Sequence, residues 1–90
     1  MTVQDTLRAK LTAALKPTLL EIVDESHLHA GHAGARAEGE THFRVAIVSE
    51  AFAGKSRVAR QRLVYEIVAE ELRTRVHALA LATRTPDEAR

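Results

Sequence analysis

Two alternating apolar runs flank a helical pattern in the second half of the chain, and that order restricts the fold more than any other feature. Phe43, Val45 and Ile47 lie on one face of a strand, with Arg44 and Ala46 opposite. Residues 50–55 form a turn around Gly54, and Ser56 stands as the N-cap of a helix over about residues 57–73. Within it Val64, Val68 and Leu72, with Leu63 and Ile67 beside them, make an apolar face. Val76 to Thr83 alternates again, Leu79 and Leu81 against the small Ala78, Ala80 and Ala82. Strand, helix and strand in that order predict a right-handed crossover between parallel strands.

The first half adds two elements. Thr2 with Asp5 three positions later makes a capping arrangement. Val3, Leu7, Leu11, Ala14 and Leu15 then recur at helical spacing until Pro17 stops the pattern, so a helix is expected over residues 3–15. Leu19 to Ser26 reads as a strand, Leu20 and Ile22 pointing one way and Leu19, Glu21 and Val23 the other. It is sequential with the Phe43 strand and should pair with it antiparallel. At the far end, Thr85-Pro86-Asp87-Glu88 is a helix start, but only two residues follow it, so that turn is expected to fray.

Ninety residues make one domain over 1–90, because a second core would have too little surface to bury. The aromatics are Phe43, Phe52 and Tyr65, so the core must be aliphatic and stacking platforms for single-stranded nucleic acid are poorly supplied. A net charge of +1 gives no global pull toward nucleic acid, and any such case must rest on local clustering. The absence of cysteine excludes disulfides. No apolar run approaches membrane-spanning length and no signal-like segment follows the N-terminus, so a soluble cytoplasmic protein with no membrane association is expected.

Between the first two strands lies DESHLHAGHAGARAEGETHF, Asp24 to Phe43, which carries four of the five histidines: His27, His29, His32 and His42. With Ser26 and His42 as strand ends the connection is 15 residues, a length that in compact domains is usually functional or disordered. The predicted order brings the end of the first strand and the starts of the second and third to one edge of the sheet. That edge therefore carries the loop histidines, His42 and His77 through connectivity alone. A lone histidine at a strand end, such as His42, is ordinarily a structural residue; the cluster points to a metal. Two chemistries fit. Three imidazoles could hold zinc, although nothing matches the helix-borne spacing of zinc hydrolases. Alternatively the chain could share an iron–sulfur cluster, where histidine replaces cysteine on one iron in some centres. Lacking thiols, it could supply only the imidazole half.

The motifs V-D-E-S-H-x-H (from Val23), E-T-H-F-x-V-x-I-V-S (from Glu40), F-x-G-x-S-x-V-x-R-x-R-x-V-Y (from Phe52) and V-H-A-L-x-L (from Val76) resemble the BolA family over Val23 to Leu81. The resemblance implies an α+β domain of αββαβ order, class II K-homology type, with a three-stranded mixed sheet and helices packed on one face. It also implies a heterodimer with a monothiol glutaredoxin. There a [2Fe-2S] cluster is bridged by the glutaredoxin cysteine, glutathione and BolA side chains, and the isolated chain binds none. The family's C-terminal histidine falls on His77, and its loop ligand best matches His29, with His27 and His32 as further histidines of the same loop. Many members have R-H-R where this chain has Arg60-Gln61-Arg62.

Lys55, Ser56, Arg57, Arg60 and Arg62 crowd the N-terminal end of the second predicted helix, with Glu70 and Glu71 near its C-terminal end. Both placements oppose the helix dipole, which suggests a phosphate backbone or acidic partner surface as the reason. The K-homology nucleic-acid loop is GxxG; here Gly54 is followed by Lys55, Ser56 and Arg57, so the second glycine is missing. BolA-like proteins are also described as transcriptional regulators, so DNA binding is the alternative function. No nucleophile–base pair or activated carboxylate pattern is visible, and the chain reads as a non-enzymatic adaptor in iron–sulfur cluster assembly, transfer or iron sensing.

Overall fold

The structure, a computed structural model, describes residues 2–26 and 39–90. In chain order it contains α1 (Val3–Leu15), β1 (Leu19–Asp24), β2 (His42–Val48), a 3₁₀ turn (Glu50–Phe52), α2 (Arg57–Ile67), α3 (Ala69–Thr74) and β3 (Ala78–Arg84). β2 is the central strand. β1 pairs with it antiparallel, setting Leu20 opposite Ile47 and Ile22 opposite Val45. β3 pairs with it parallel, setting Phe43 opposite Leu79 and Val45 opposite Leu81. The α+β order and the three-stranded mixed sheet match the sequence reading.

Local chemistry explains the element ends. The Thr2 hydroxyl accepts from the Asp5 N–H at 3.0 Å while the Asp5 carboxylate accepts from the Thr2 N–H, a closed capping box. α1 ends where Lys16 turns left-handed, just before Pro17. It buries Val3, Leu7, Leu11 and Leu15, whereas Ala14, at the margin of that stripe, is exposed. These side chains meet Ile22, Phe43, Val45 and Ile47 of the sheet together with Val64, Val68 and Val76. All the helices therefore lie on the sheet face that carries the odd-numbered β2 residues. The opposite face leaves Leu19 and Val23 exposed.

Phe52 is fully buried in this core, although the sequence places it in a turn. The turn is organised by Ser49, whose hydroxyl donates to the Leu15 carbonyl at 2.6 Å and accepts from the Ala51 N–H. Gly54, at φ +76°, reverses the chain into α2, whose first turn is capped by the Ser56 hydroxyl through the Ala59 N–H.

The helix expected over 57–73 is interrupted at Val68, and α3 follows at a new angle of the backbone (φ −110°, ψ 26°). Neither proline nor glycine stands at the joint, so the sequence carries no signal for it. The joint changes the charge argument. Glu70 and Glu71 occupy the first turn of α3, where they favour its dipole, and Glu71 is paired with Lys10 of α1 at 2.8 Å. β1 stops two residues short of Ser26, and β3 starts two residues after Val76. The Val76 side chain is buried, and its N–H bonds back to the Glu71 carbonyl.

The C-terminal turn is pinned, against the expectation of fraying. The Thr85 hydroxyl accepts from the Glu88 N–H, the Glu88 carboxylate accepts from the Thr85 N–H, and both Glu88 oxygens take the Arg60 guanidinium at 2.6 and 3.0 Å. Arg60 first and the Thr85 N–H second push the Glu88 carboxyl down to about 2. A carboxyl lowered in the folded state stabilises the fold above its ordinary value near 4.5, and that contribution disappears as pH falls toward 2. Glu88→Gln should therefore melt below the wild type at pH 7. Thermal scans near pH 2 should bring the two melting temperatures together; a gap that persists there would assign the effect to something other than this charge pair.

Candidate functional site

The rim of the sheet where β1 ends and β2 and β3 begin is built on a buried knot of polar groups. Asp24 closes β1, and its Oδ1 accepts from both the Ser26 N–H (2.9 Å) and the Ser26 hydroxyl (2.5 Å). Its Oδ2 accepts from the Glu40 N–H at 3.1 Å. The Ser26 Oγ in turn accepts from the N–H groups of Thr41 and His42, at 3.0 and 3.2 Å. One backbone bond, from the Glu25 N–H to the His42 carbonyl, finishes the β1–β2 ladder. The two ends of the connecting segment are thus tied together through side chains. Gly39 and Glu40, at φ +76° and +62°, make the sharp return into β2. A side chain at Gly39 would meet the Asp24 carboxylate at 3.3 Å, in a left-handed conformation that already favours glycine.

From this knot Thr41 reaches across to β3. Its carbonyl accepts from both the His77 N–H (2.7 Å) and the Ala78 N–H (3.1 Å). The His77 backbone is thereby fixed beside His42, while its side chain is exposed. The two imidazoles lie with centroids 5.4 Å apart and planes inclined by 52°. His42, only 7% exposed, bonds through Nδ1 to the Thr41 Oγ1 at 2.8 Å.

The convergence expected at this edge is present for the residues that can be placed. His77 lies at the rim with the two ends of the loop. His27, His29 and His32, the loop histidines named from the sequence, lie outside the described residues. Among the described residues, no group of three or more metal-ligating side chains gathers in one place. His42, which connectivity carries to this edge and which reads in the sequence as a structural residue, has its ring beside that of His77. No spacing rule marks it, because its proximity depends on the register that puts His42 opposite Ala78.

The basic cluster separates into two groups. Lys55, Arg57 and Arg62 are exposed, and none of them takes part in an ion pair among the described residues. Ser56 is also exposed, and its hydroxyl is used as the α2 cap. Arg60 does not belong with them. It is 9% exposed, donates to the Lys55 and Thr83 carbonyls and to Glu88, and lies 5.9 Å from the Phe52 ring centroid. Its spacing from Val64 places it on the buried face of α2, so the sequence reading of Arg60 as a surface contact is corrected.

Comparison with known proteins gives a consistent result. A family model described as BolA-like protein matches residues 11–88. The chloroplastic protein BOLA1 of Arabidopsis thaliana is 50% identical over 84 residues, covering 91% of this chain and 52% of that protein. The chain thus spans about half the length of that relative. The protein named DNA-binding transcriptional regulator BolA of Escherichia coli (strain K12) is 46% identical over 88 residues, covering 98% of this chain and 80% of that one. Among solved structures, BolA1 from Arabidopsis thaliana superposes with a TM-score of 0.87 at 46% identity, covering 98% of this chain and 96% of that one.

The knot has a measurable consequence. Ser26→Ala leaves the buried N–H groups of Thr41 and His42 without their acceptor and should destabilise the fold by about 1–3 kcal/mol. Urea melts give the loss, and hydrogen exchange should quicken first at the amides of Thr41 and His42. Unchanged exchange at those two amides would show that the knot does not hold the rim.

Proposed function

The chain belongs to the BolA-like protein family, and on that basis we propose that it is a non-enzymatic adaptor that pairs with a monothiol glutaredoxin and co-ligates a [2Fe-2S] cluster. The observation that carries this reading is His77, an exposed imidazole whose backbone is tied to the start of β2 at the rim where the long connection begins and ends. The donor chemistry fits the cluster in one respect only. Imidazole replaces thiolate on one iron of some [2Fe-2S] centres, and a chain without cysteine can fill only those positions. His77 would hold the cluster with one loop histidine, for which the family motif favours His29 over His27 and His32. When bound, the cluster supplies a redox-active iron–sulfur group that can be handed on or read as a signal of iron status. The thiolates, from the glutaredoxin cysteine and glutathione, come from the partner's side.

Mixing the chain with a monothiol glutaredoxin, glutathione, iron and sulfide should give a coloured heterodimer. His77→Ala should alter its visible spectrum, and an unaltered spectrum would remove His77 from the coordination sphere.

A second reading rests on the exposed Lys55, Arg57 and Arg62, and on the relative named as a DNA-binding regulator. These cations would meet a phosphate backbone, with Arg60 holding the helix end from behind. Binding to duplex DNA should then weaken steeply with salt. Replacing Arg57 or Arg62 by Ala should lower the log–log salt slope by about 1 each, whereas Glu88→Gln should leave the slope in place. Salt-insensitive or absent binding would discard this reading.

A further inference from the structure

The polar knot determines more than the position of the rim: it determines which nitrogen of His42 carries the proton. The donors and acceptors around Ser26 and Thr41 fix it. An ionised carboxylate only accepts, so the Ser26 hydroxyl hydrogen, 2.5 Å from the Asp24 Oδ1, is committed to Asp24. The two lone pairs left on Ser26 Oγ take the N–H groups of Thr41 and His42. Among the described residues the Thr41 hydroxyl has two neighbours within reach, Ser26 Oγ at 3.4 Å and His42 Nδ1 at 2.8 Å. The first is saturated and distant. The Thr41 hydrogen therefore goes to Nδ1, which accepts it with its lone pair. Were Nδ1 protonated instead, the only other acceptor for the Thr41 hydrogen among the described residues would be an oxygen with no lone pair left. An imidazole that accepts at Nδ1 carries its proton on Nε2, and in that form neither nitrogen offers a lone pair to a metal.

We propose that His42 is a positioning residue of the histidine rim and not a ligand: Thr41 locks it as the Nε2–H imidazole, and its immobile ring sets where the His77 ring stands. The two rings are close enough for direct contact, and only one of them is free to rotate into solvent. Thr41 governs both, since its carbonyl holds the His77 backbone while its hydroxyl holds the His42 ring. Neighbours that orient a ligand from outside its coordination sphere are a general feature of metal sites, and here the contact with the His77 side chain is ring to ring. The positioning role rests on the reading of His77 as a cluster ligand; the tautomer of His42 does not.

Long-range proton–nitrogen NMR on the free chain tests the tautomer without any cluster. Wild type should show a single His42 form with Nε2 protonated. Thr41→Ser, which keeps the hydroxyl, should preserve it, and Thr41→Val, which keeps the shape, should mix the tautomers and move the His77 ring signals. A wild-type His42 protonated at Nδ1 would overturn the proposal, as would Thr41→Val leaving both rings unchanged. In the reconstituted heterodimer, pulsed EPR of the reduced cluster separates ligand from neighbour. His42→Gln should keep every coupled imidazole nitrogen while weakening cluster retention about 10-fold. His77→Ala should lose one coupled nitrogen. Loss of a coupled nitrogen in His42→Gln would make His42 a ligand and end the proposal. If wild type forms no coloured complex, the cluster reading fails and with it the positioning role, while the tautomer is decided by the NMR alone.

Discussion

The parallel pairing of β2 with β3 begins at one carbonyl, that of Thr41, which accepts two successive N–H groups from the third strand. A parallel pair has no tight turn to set its register, so something else must choose where the two strands meet. Here the choice is made from the other side. Asp24 and Ser26 fix Thr41 against the end of β1 before it reaches β3. The register then places His42 opposite Ala78 and brings His77, one residue before β3, to the rim. A slip by one residue would turn Leu79 and Leu81 away from the core and move His77 off the edge, so packing and site are specified by the same set of bonds.

The opposite end of the sheet is held by a charge pair of a different kind. Arg60 is drawn into the structure by Glu88, the Lys55 and Thr83 carbonyls and the Phe52 ring. It ties the start of α2 to the end of β3 and to the last turn of the chain. A buried guanidinium of this sort is tolerated because its donors find acceptors in a fork geometry that lysine could not reproduce. Its presence at a helix N-terminus therefore needs no ligand. Positive charge set against the α2 dipole with no ion-pair partner among the described residues is left at Lys55, Arg57 and Arg62.

Element order, strand faces and the apolar stripes of both long helices were legible because each is a short-range pattern of period 2 or 3.6, and burial at Leu7, Leu11, Ile22, Val45 and Val64 follows it. The convergence of His77 on the loop ends was legible for a related reason, since connectivity alone dictates which strand ends share an edge. What escaped was whatever depends on a distant partner. Arg60 looked like a surface cation because Glu88 is 28 residues away. Phe52 looked like a turn residue because the cavity it fills is made by other elements. Glu71 was assigned to the wrong dipole because no residue type marks the joint at Val68. Connectivity carried His42 to the same edge as His77, but its ring contact there depends on the register that sets it opposite Ala78. Identity at a single position carries no information of that kind.

The geometry also bears on whether the two functional readings compete. The histidine rim is at the N-terminal end of β2, and Lys55 and Arg57 follow its C-terminal end. Seven residues of strand separate them by about 20 Å. A partner seated on His77 and the loop would have to extend along the whole strand before it met Lys55 or Arg57. Charge at the basic end acts on the rim only weakly, because that distance exceeds the Debye length of about 8 Å in physiological salt. Any coupling between cluster binding and nucleic-acid binding would have to pass through the packed elements that join the two ends: β2 itself, and α2 with the joint at Val68. Both are clamped, at Thr41 on one end and Arg60 on the other.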